Sequence, residues 1–333
     1  MGRAGPVETT DSGVLRVVQL NIGSLLEPGW ADRRHEVVAW IGELSPDIVC
    51  FQEVWEDAQT PNSAGWVAEH ASGTWHLAFG GDSFDPSLWA DASLRFGSAI
   101  LSRWPIDSSA YVRLPVVPDD DPFPAQVPWE LLHARTAGLD VFSAHLAAAP
   151  TYGHHRQAQV VAIDDYVRSV RGDLDATPPL GAKRDAMPAI LCGDFNAEPD
   201  SDEIRFLCSL TALDGRTTFW QDAWRVAGTG PGYTQDWRTN SIADGMNVNR
   251  KRIDYVFVGD PFQRRGGAGR VLSADLAFHD SRTGPIASDH AGLAVDVLQA
   301  RETDDAQDVD QRGHRRLRRS FPRRGQKRPR MYR

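Results

Sequence analysis

Cysteine is scarce. Cys50, Cys192 and Cys208 are the three in 333 residues, at no regular spacing, which excludes a disulfide framework and argues against a zinc cluster. Cys50 and Cys192 lie inside apolar runs and read as small core residues. Long apolar runs are missing too. No stretch is long enough to span a bilayer, and residues 1–13 lack the apolar segment of a signal peptide, so the expected location is cytoplasmic. The chain has no phosphate-binding glycine loop, no dinucleotide fingerprint, no His-Glu-X-X-His and no internal repeat. Enzymes built on those devices are set aside.

Hydrophobic residues at 41% and aromatics at 9% are enough for a real core. The net charge of -9 hides an asymmetry. Residues 311–333 hold 11 Lys/Arg and no Asp/Glu, which leaves -20 on residues 1–310. An acidic body suits a site that collects divalent cations. The basic tail lacks apolar periodicity and is expected to be disordered. It is either a plain solvated terminus or a grip on nucleic acid or an anionic membrane surface. The expected division is a disordered 1–13, a catalytic domain over 14–300 and a basic disordered tail over 301–333.

Apolar patterning predicts strands at 14–21, 47–54, 74–79, 96–102, 130–137, 138–146, 252–258 and 270–278, with a last strand after residue 290. It predicts helices at 31–44, 60–72, 153–170 and 200–209, the last capped by Asp200 or Ser201. Residues 80–94, 115–128 and 226–250 read as loops. Residues 172–188 read as a connector inside one domain.

The polar residues at strand exits carry the chemistry. Ile190-Leu191-Cys192-Gly193-Asp194-Phe195-Asn196 is an apolar strand ending in two polar side chains at a spacing of two, which places them on one face. A carboxylate beside a carboxamide suits phosphate chemistry, although Gly-Asp-X-Asn is also a sound tight turn. Asn21 ends the first strand. Glu53 ends the second, where a carboxylate is costly unless a cation or donor meets it. His145 ends the strand Val141-Phe142-Ser143-Ala144-His145, on the face opposite Phe142. Asp254 opens another strand, as a site residue or as a salt-bridge partner of Arg252 or another neighbour. Asp289-His290 immediately precedes the last. Arg156 reads as a surface residue near a helix start, with anion binding as the other reading. Trp89, Trp129 and Trp237 lie in loops, where they pack or line a pocket. Core packing alone does not explain so many metal-ligand and acid/base types at strand ends.

Taken in order, Leu-Asn-Ile, Gln-Glu-Val, Ser-Ala-His-Leu, Gly-Asp-Phe-Asn, Arg-Ile-Asp-Tyr and Ser-Asp-His resemble the endonuclease/exonuclease/phosphatase superfamily over about residues 14–298. Gln-Glu-Val-Trp, Ser-Ala-His-Leu and residues 97–103 look more like its sphingomyelinase and DNase I branches than like AP endonucleases. The segment Ser93-Leu94-Arg95-Phe96 departs from DNase I-like enzymes in offering no carboxylate partner for His145. The resemblance implies an α+β, four-layer α/β/β/α fold of the DNase I type, a two-sheet sandwich with outer helices. It also implies magnesium-dependent phosphoester hydrolysis, with manganese as a substitute. Glu53 would then be the main metal carboxylate, with Asn21 and Asp289 completing or supporting the shell. Asp194 would activate the water, and Asn196 and His145 would donate to phosphoryl oxygens. His290, oriented by Asp254, would stabilise the transition state or exchange the proton.

The leading functional expectation is a phosphodiesterase or phosphatase acting on a small molecule or lipid head group. The alternative is a nuclease aided by the basic tail. A catalytically dead binding module would show decay of these positions, and all are present. The three loops would select the alcohol; monoester and diester both stay open.

Overall fold

The computed structural model describes residues 13–243 and 249–299. The expected N-terminal segment (but for Gly13) and the basic tail lie outside them. In chain order the elements are β1 (Val14–Asn21), α1 (Trp30–Leu44), β2 (Ile48–Glu56), α2 (Ser63–His70), β3 (His76–Phe79), β4 (Arg95–Ser102), β5 (Ile106–Arg113), α3 (Phe123–Gln126) and β6 (Glu130–Thr136). There follow β7 (Leu139–His145), α4 (Gly153–Arg171), β8 (Ile190–Asp194), α5 (Asp202–Leu207), β9 (Trp220–Asp222), α6 (Ala223–Ala227), β10 (Asp254–Gly259), β11 (Val271–Ala277) and β12 (Gly292–Leu298).

The strands form two six-stranded sheets, ordered β11-β12-β1-β2-β4-β3 and β5-β6-β7-β8-β10-β9. Alternation along each strand builds the layers. Val17, Cys50, Val141, Cys192 and Val256 face inward and meet between the sheets. Val18, Leu20 and Phe51 face outward under Val37, Ile41 and Val67 of α1 and α2. Phe142, Leu191 and Phe257 face outward with Val160 and Ile163 of α4 and Ile204 of α5. Each such side chain, fully buried, contributes roughly 1.5–3 kcal/mol. The result is the expected α/β/β/α sandwich, a DNase I-like fold.

Topology then fixes where the site falls. Each sheet contains a parallel pair: β1 with β2, where Asn21 lies beside Gln52, and β7 with β8, where His145 lies beside Asp194. β10 runs antiparallel to β8 and starts at Asp254, opposite Asp194. β12 runs antiparallel to β1, so the residues just before it arrive at the exit of β1. Four chain exits and two entries therefore share one end of the sandwich.

Some local expectations need correction. β5 and β9 were not legible in the sequence and complete the second sheet at its two edges. β2 does not stop at Glu53 but runs to Glu56, with a register shift between Phe51 and Val54. Ser201 occupies the cap position of α5 without capping it, and its hydroxyl donates to the Glu198 carbonyl. Arg156 is buried: it donates to Glu203 and to the carbonyls of Ala147 and Ala149. The connector at 172–188 sits within a single compact unit together with the motifs on both sides.

Candidate active site

The apolar layer between the sheets changes character toward that end. Continuing inward-facing positions two residues at a time, Val17 leads to Gln19 and Asn21, Cys50 to Gln52, Val141 to Ser143 and His145, Cys192 to Asp194. On β10, running the other way, Val256 leads back to Asp254. Gln19, Gln52 and Ser143 make a buried polar floor. Gln19 Nε2 donates to Gln52 Oε1 at 2.7 Å and to Asp254 Oδ1 at 2.9 Å, and Gln52 Nε2 donates to Ser143 Oγ at 3.0 Å. The Gln19–Gln52 bond joins neighbouring strands of one sheet, and the other two cross between the sheets, pairing N–H groups that would be costly if left unpaired. The sequence reading missed all three, because a polar residue in a strand normally marks a solvent face.

Above the floor the structure brings together every expected site residue. Asp194 is central. Its Oδ2 lies 3.7 Å from His145 Nε2, 3.9 Å from His290 Nε2 and 3.1 Å from Asn21 Nδ2. Its Oδ1 accepts from the Asn196 backbone N–H at 2.8 Å. Asn21 also donates to Glu53 Oε1 at 2.9 Å, while its Oδ1 accepts from the Gly23 amide. It thus braces two carboxylates. Asn196 anchors its amide on the Leu146 carbonyl through one of its two N–H groups. His290 Nδ1 donates to Asp254 Oδ2 at 2.8 Å, and its Nε2 lies 3.6 Å from Asp289 Oδ2. Asp254 does not pair with Arg252, which forks onto Asp222 at 3.0 and 2.8 Å; its ion-pair partner is His290.

Glu53 reaches the site through a bulge. Strict alternation would send it to the Phe51 side, under α1 and α2. The register shift and a φ of 57° at Glu53 turn it toward the other carboxylates instead. At Gly193 the crowding is of another kind. A Cβ there would lie 2.1 Å from the Ala144 carbonyl oxygen, so only glycine lets β8 approach β7 and set Asp194 beside His145.

One further carboxylate is present. Glu27, in the loop between β1 and α1, lines the same cavity. No motif announces it, and the sequence reading passed over it.

The electrostatics follow from this crowding. Burial, with Glu27 and Asp289 beside it, raises the Glu53 carboxyl to about 8. Burial and then Asp289 raise Glu27 to about 7; burial and then Asp254 raise Asp194 to about 7. Burial, with His290 nearby, lowers His145 to about 3, so it is neutral. Burial opposes the charge on His290 more than any single neighbour does. Asp254, Asp289 and Asp194 together outweigh it and hold His290 protonated well above its usual range. Glu53 Oε2 and Glu27 Oε2 are buried with no hydrogen-bond partner. A pocket of oxygen donors with two bare carboxylate oxygens fits a hard divalent cation. Glu53 and Asp289 would hold it, with Asn21 supporting.

A pH dependence follows. In chelator, Glu27, Glu53 and Asp194 ionise near 7 to 8 in the fold, against 4.5, 4.5 and 3.8 as ordinary values. The folded state then binds more protons than the unfolded one. The contribution of these carboxyls to stability is full below about pH 4 and is lost as pH rises through 7 to 8. His145 has the opposite sign, but only between 3 and 6.5. The melting temperature in chelator should therefore fall by several degrees from pH 6.5 to 8.5, and added divalent cation should reverse the fall. A flat or rising profile would count against the raised carboxyls.

The site opens into a cavity of about 380 Å³. Its far wall is apolar: Phe84, Leu88, Trp89, Phe96, Phe123 and Trp129. Phe84 packs 5.0 Å from Phe96 and 5.9 Å from Trp89 between ring centres, and Trp129 stands edge-on to His145 at 5.3 Å. The loops at 80–94 and 115–128 supply much of this wall. Trp237 is not part of it. Lys251 is the one Lys or Arg lining the cavity among the described residues. No helix among them is long and apolar enough to cross a membrane.

The geometry has counterparts. A solved endonuclease/exonuclease/phosphatase from Beutenbergia cavernae shares the fold at a TM-score of 0.60 and 21% identity, covering 86% of this chain and 72% of that one. D. rerio TDP2, complexed with single strand DNA product, gives 0.59 and 20%, covering 85% and 98%. The human Nocturnin catalytic domain with bound sulfate anion gives 0.56 and 21%, covering 85% and 93%. No curated protein matches the chain by sequence. The sequence model of the Endonuclease/Exonuclease/phosphatase family matches residues 18–290, from the middle of β1 to the last histidine of the site. By that match and by its fold, the chain belongs to the endonuclease/exonuclease/phosphatase family.

Proposed function

We propose that the protein is a divalent-cation-dependent phosphoesterase whose substrate carries an apolar group next to the scissile phosphate. The observation that supports the chemistry is Asp194, a carboxyl raised to about 7 and flanked within 4 Å by two histidines of opposite charge state. A base poised near neutrality can take a proton from water. Neutral His145 and Asn196 would donate to phosphoryl oxygens. Protonated His290, held by Asp254, would stabilise the charge that develops or give up its proton. A cation bound at Glu53 and Asp289, magnesium or manganese, would neutralise phosphoryl charge.

The apolar wall supports the substrate class. A nucleic-acid path needs a run of phosphate-binding cations along it, and here eleven apolar residues line the cavity, with Lys251 its one Lys or Arg among the described residues. An aryl or long-chain alkyl ester of phosphate, including a lipid head-group phosphodiester, suits that wall. With magnesium, p-nitrophenylphosphocholine should be hydrolysed, and Trp89→Ala should raise KM roughly tenfold with kcat nearly unchanged, for the loss of about 1.4 kcal/mol of apolar contact. An unchanged KM would remove the wall from substrate binding.

The second reading is a nuclease. TDP2 of D. rerio, which shares the fold, holds a single strand DNA product, and the last 23 residues carry 11 basic side chains. Nicking of supercoiled plasmid that declines steeply with salt, and is lost in Asp194→Ala, would favour it over the small-molecule reading.

A further inference from the structure

The loop between β1 and α1 brings Glu27 into the site, and nothing in the motifs required it. Gly23, at φ 49°, makes the space. A Cβ on Gly23 would stand 2.3 Å from Glu27 Oε2 and 3.1 Å from Asp289 Oδ1, so these two carboxylate oxygens converge on the same small volume.

The arginine behind this loop is otherwise engaged. Arg33 is buried, and its Nε and two terminal nitrogens carry five N–H groups. Those five meet five backbone carbonyls: Pro28, Ile22, Ala287, Gly23 and Glu27, at 2.7 to 3.1 Å. Every donor is spent on main chain, and none is left for the Glu27 carboxylate. Arg33 instead fixes the path of residues 22–28, which sets where Glu27 points. Glu27 Oε2 is then buried and without a hydrogen-bond partner, as Glu53 Oε2 is. A rigid loop that holds a bare carboxylate beside Asp289, in the cavity that Glu53 also lines, is costly unless a cation joins them.

We propose that Glu27 is a third carboxylate ligand of the divalent cation, alongside Glu53 and Asp289. The proposal rests on the metal-dependent reading above and extends it. Three carboxylates around one hard cation raise its affinity through ligand charge. Glu27 lies on a loop that also lines the cavity, so cation binding would fasten that side of the entrance.

The test is calorimetric titration of Mn2+ into the chelator-stripped full chain, with no substrate, beside melting curves with and without Mn2+. The wild type should bind Mn2+. Glu27→Gln should bind it at least about 10-fold more weakly, since even a group that only orients a ligand is worth about 10- to 100-fold. The same variant should melt higher than the wild type in chelator, because one unneutralised carboxylate is gone, and should gain less from Mn2+. Gly23→Ala, which puts a methyl where the Glu27 oxygen sits, should weaken Mn2+ binding with Glu27 chemically intact. An unchanged Kd in Glu27→Gln, with Glu53→Gln weakened, would overturn the role of Glu27 alone. No Mn2+ binding by the wild type would overturn both this role and the cation-dependent reading beneath it.

Discussion

Asp194→Ala should lower kcat by about three orders of magnitude while leaving KM within a few-fold. The size follows from how much converges on one carboxylate. Its Oδ2 faces His145, His290 and Asn21, and its Oδ1 accepts the Asn196 amide. Removing a single positioned charge or donor in such a site costs about 10²–10³ in rate, and removing the base itself about 10²–10⁴. The loss should not be a folding defect. The carboxylate is buried and its carboxyl is raised, so the ionised form costs stability at neutral pH. In chelator at pH 8 the variant should melt at or above the wild type. Steady-state rates beside a melting curve check both halves. A variant that melts normally and retains more than about a tenth of the rate would show that Asp194 is not the base.

Asp254→Asn should cost about two to three orders of magnitude and should also change the shape of the pH profile. Asp254 Oδ2 accepts from His290 Nδ1, and its Oδ1 accepts from Gln19 on the polar floor. With asparagine the imidazole loses the anion that does most to keep it protonated, and burial, which lowers its pKa, is less opposed. The alkaline limb of kcat against pH should move down toward the ordinary histidine value. A purely structural role for Asp254 would lower the rate without moving that limb. The double variant with His290→Ala should lose little more than His290→Ala alone, since the two act as one unit. Additive losses would argue that they act separately.

The strand-end logic made most of this site readable. Asp194, Asp254, His145 and Asn21 each interrupt an apolar run at the end where alternation still points inward, so both the site and its sidedness could be derived. Glu53 was readable as a residue but not as a geometry. Alternation alone places it with Phe51, and the bulge that turns it needed the register against β4. Gln19, Gln52 and Ser143 were hidden because a polar side chain buried between two sheets looks, in one dimension, like part of an exposed strand face. Glu27 was hidden for another reason. It lies between Gly23 and Gly29 in a turn whose path depends on Arg33 finding five carbonyls, one of them Ala287 from the far end of the chain. β5, with exposed residues on both faces, lacks the alternation that marks a half-buried strand. The Arg156–Glu203 pair joins α4 to α5 and could not be read from either helix alone.

The most direct measurement is hydrolysis of a phosphodiester in H2 18O with magnesium, following the phosphoryl product by 31P NMR. Water attack on phosphorus at this site should place one 18O on the phosphoryl product of the wild type, and Asp194→Ala should form that labelled product about three orders of magnitude more slowly. Label in the released alcohol, or equal labelling rates in wild type and variant, would contradict water attack on phosphorus assisted by Asp194.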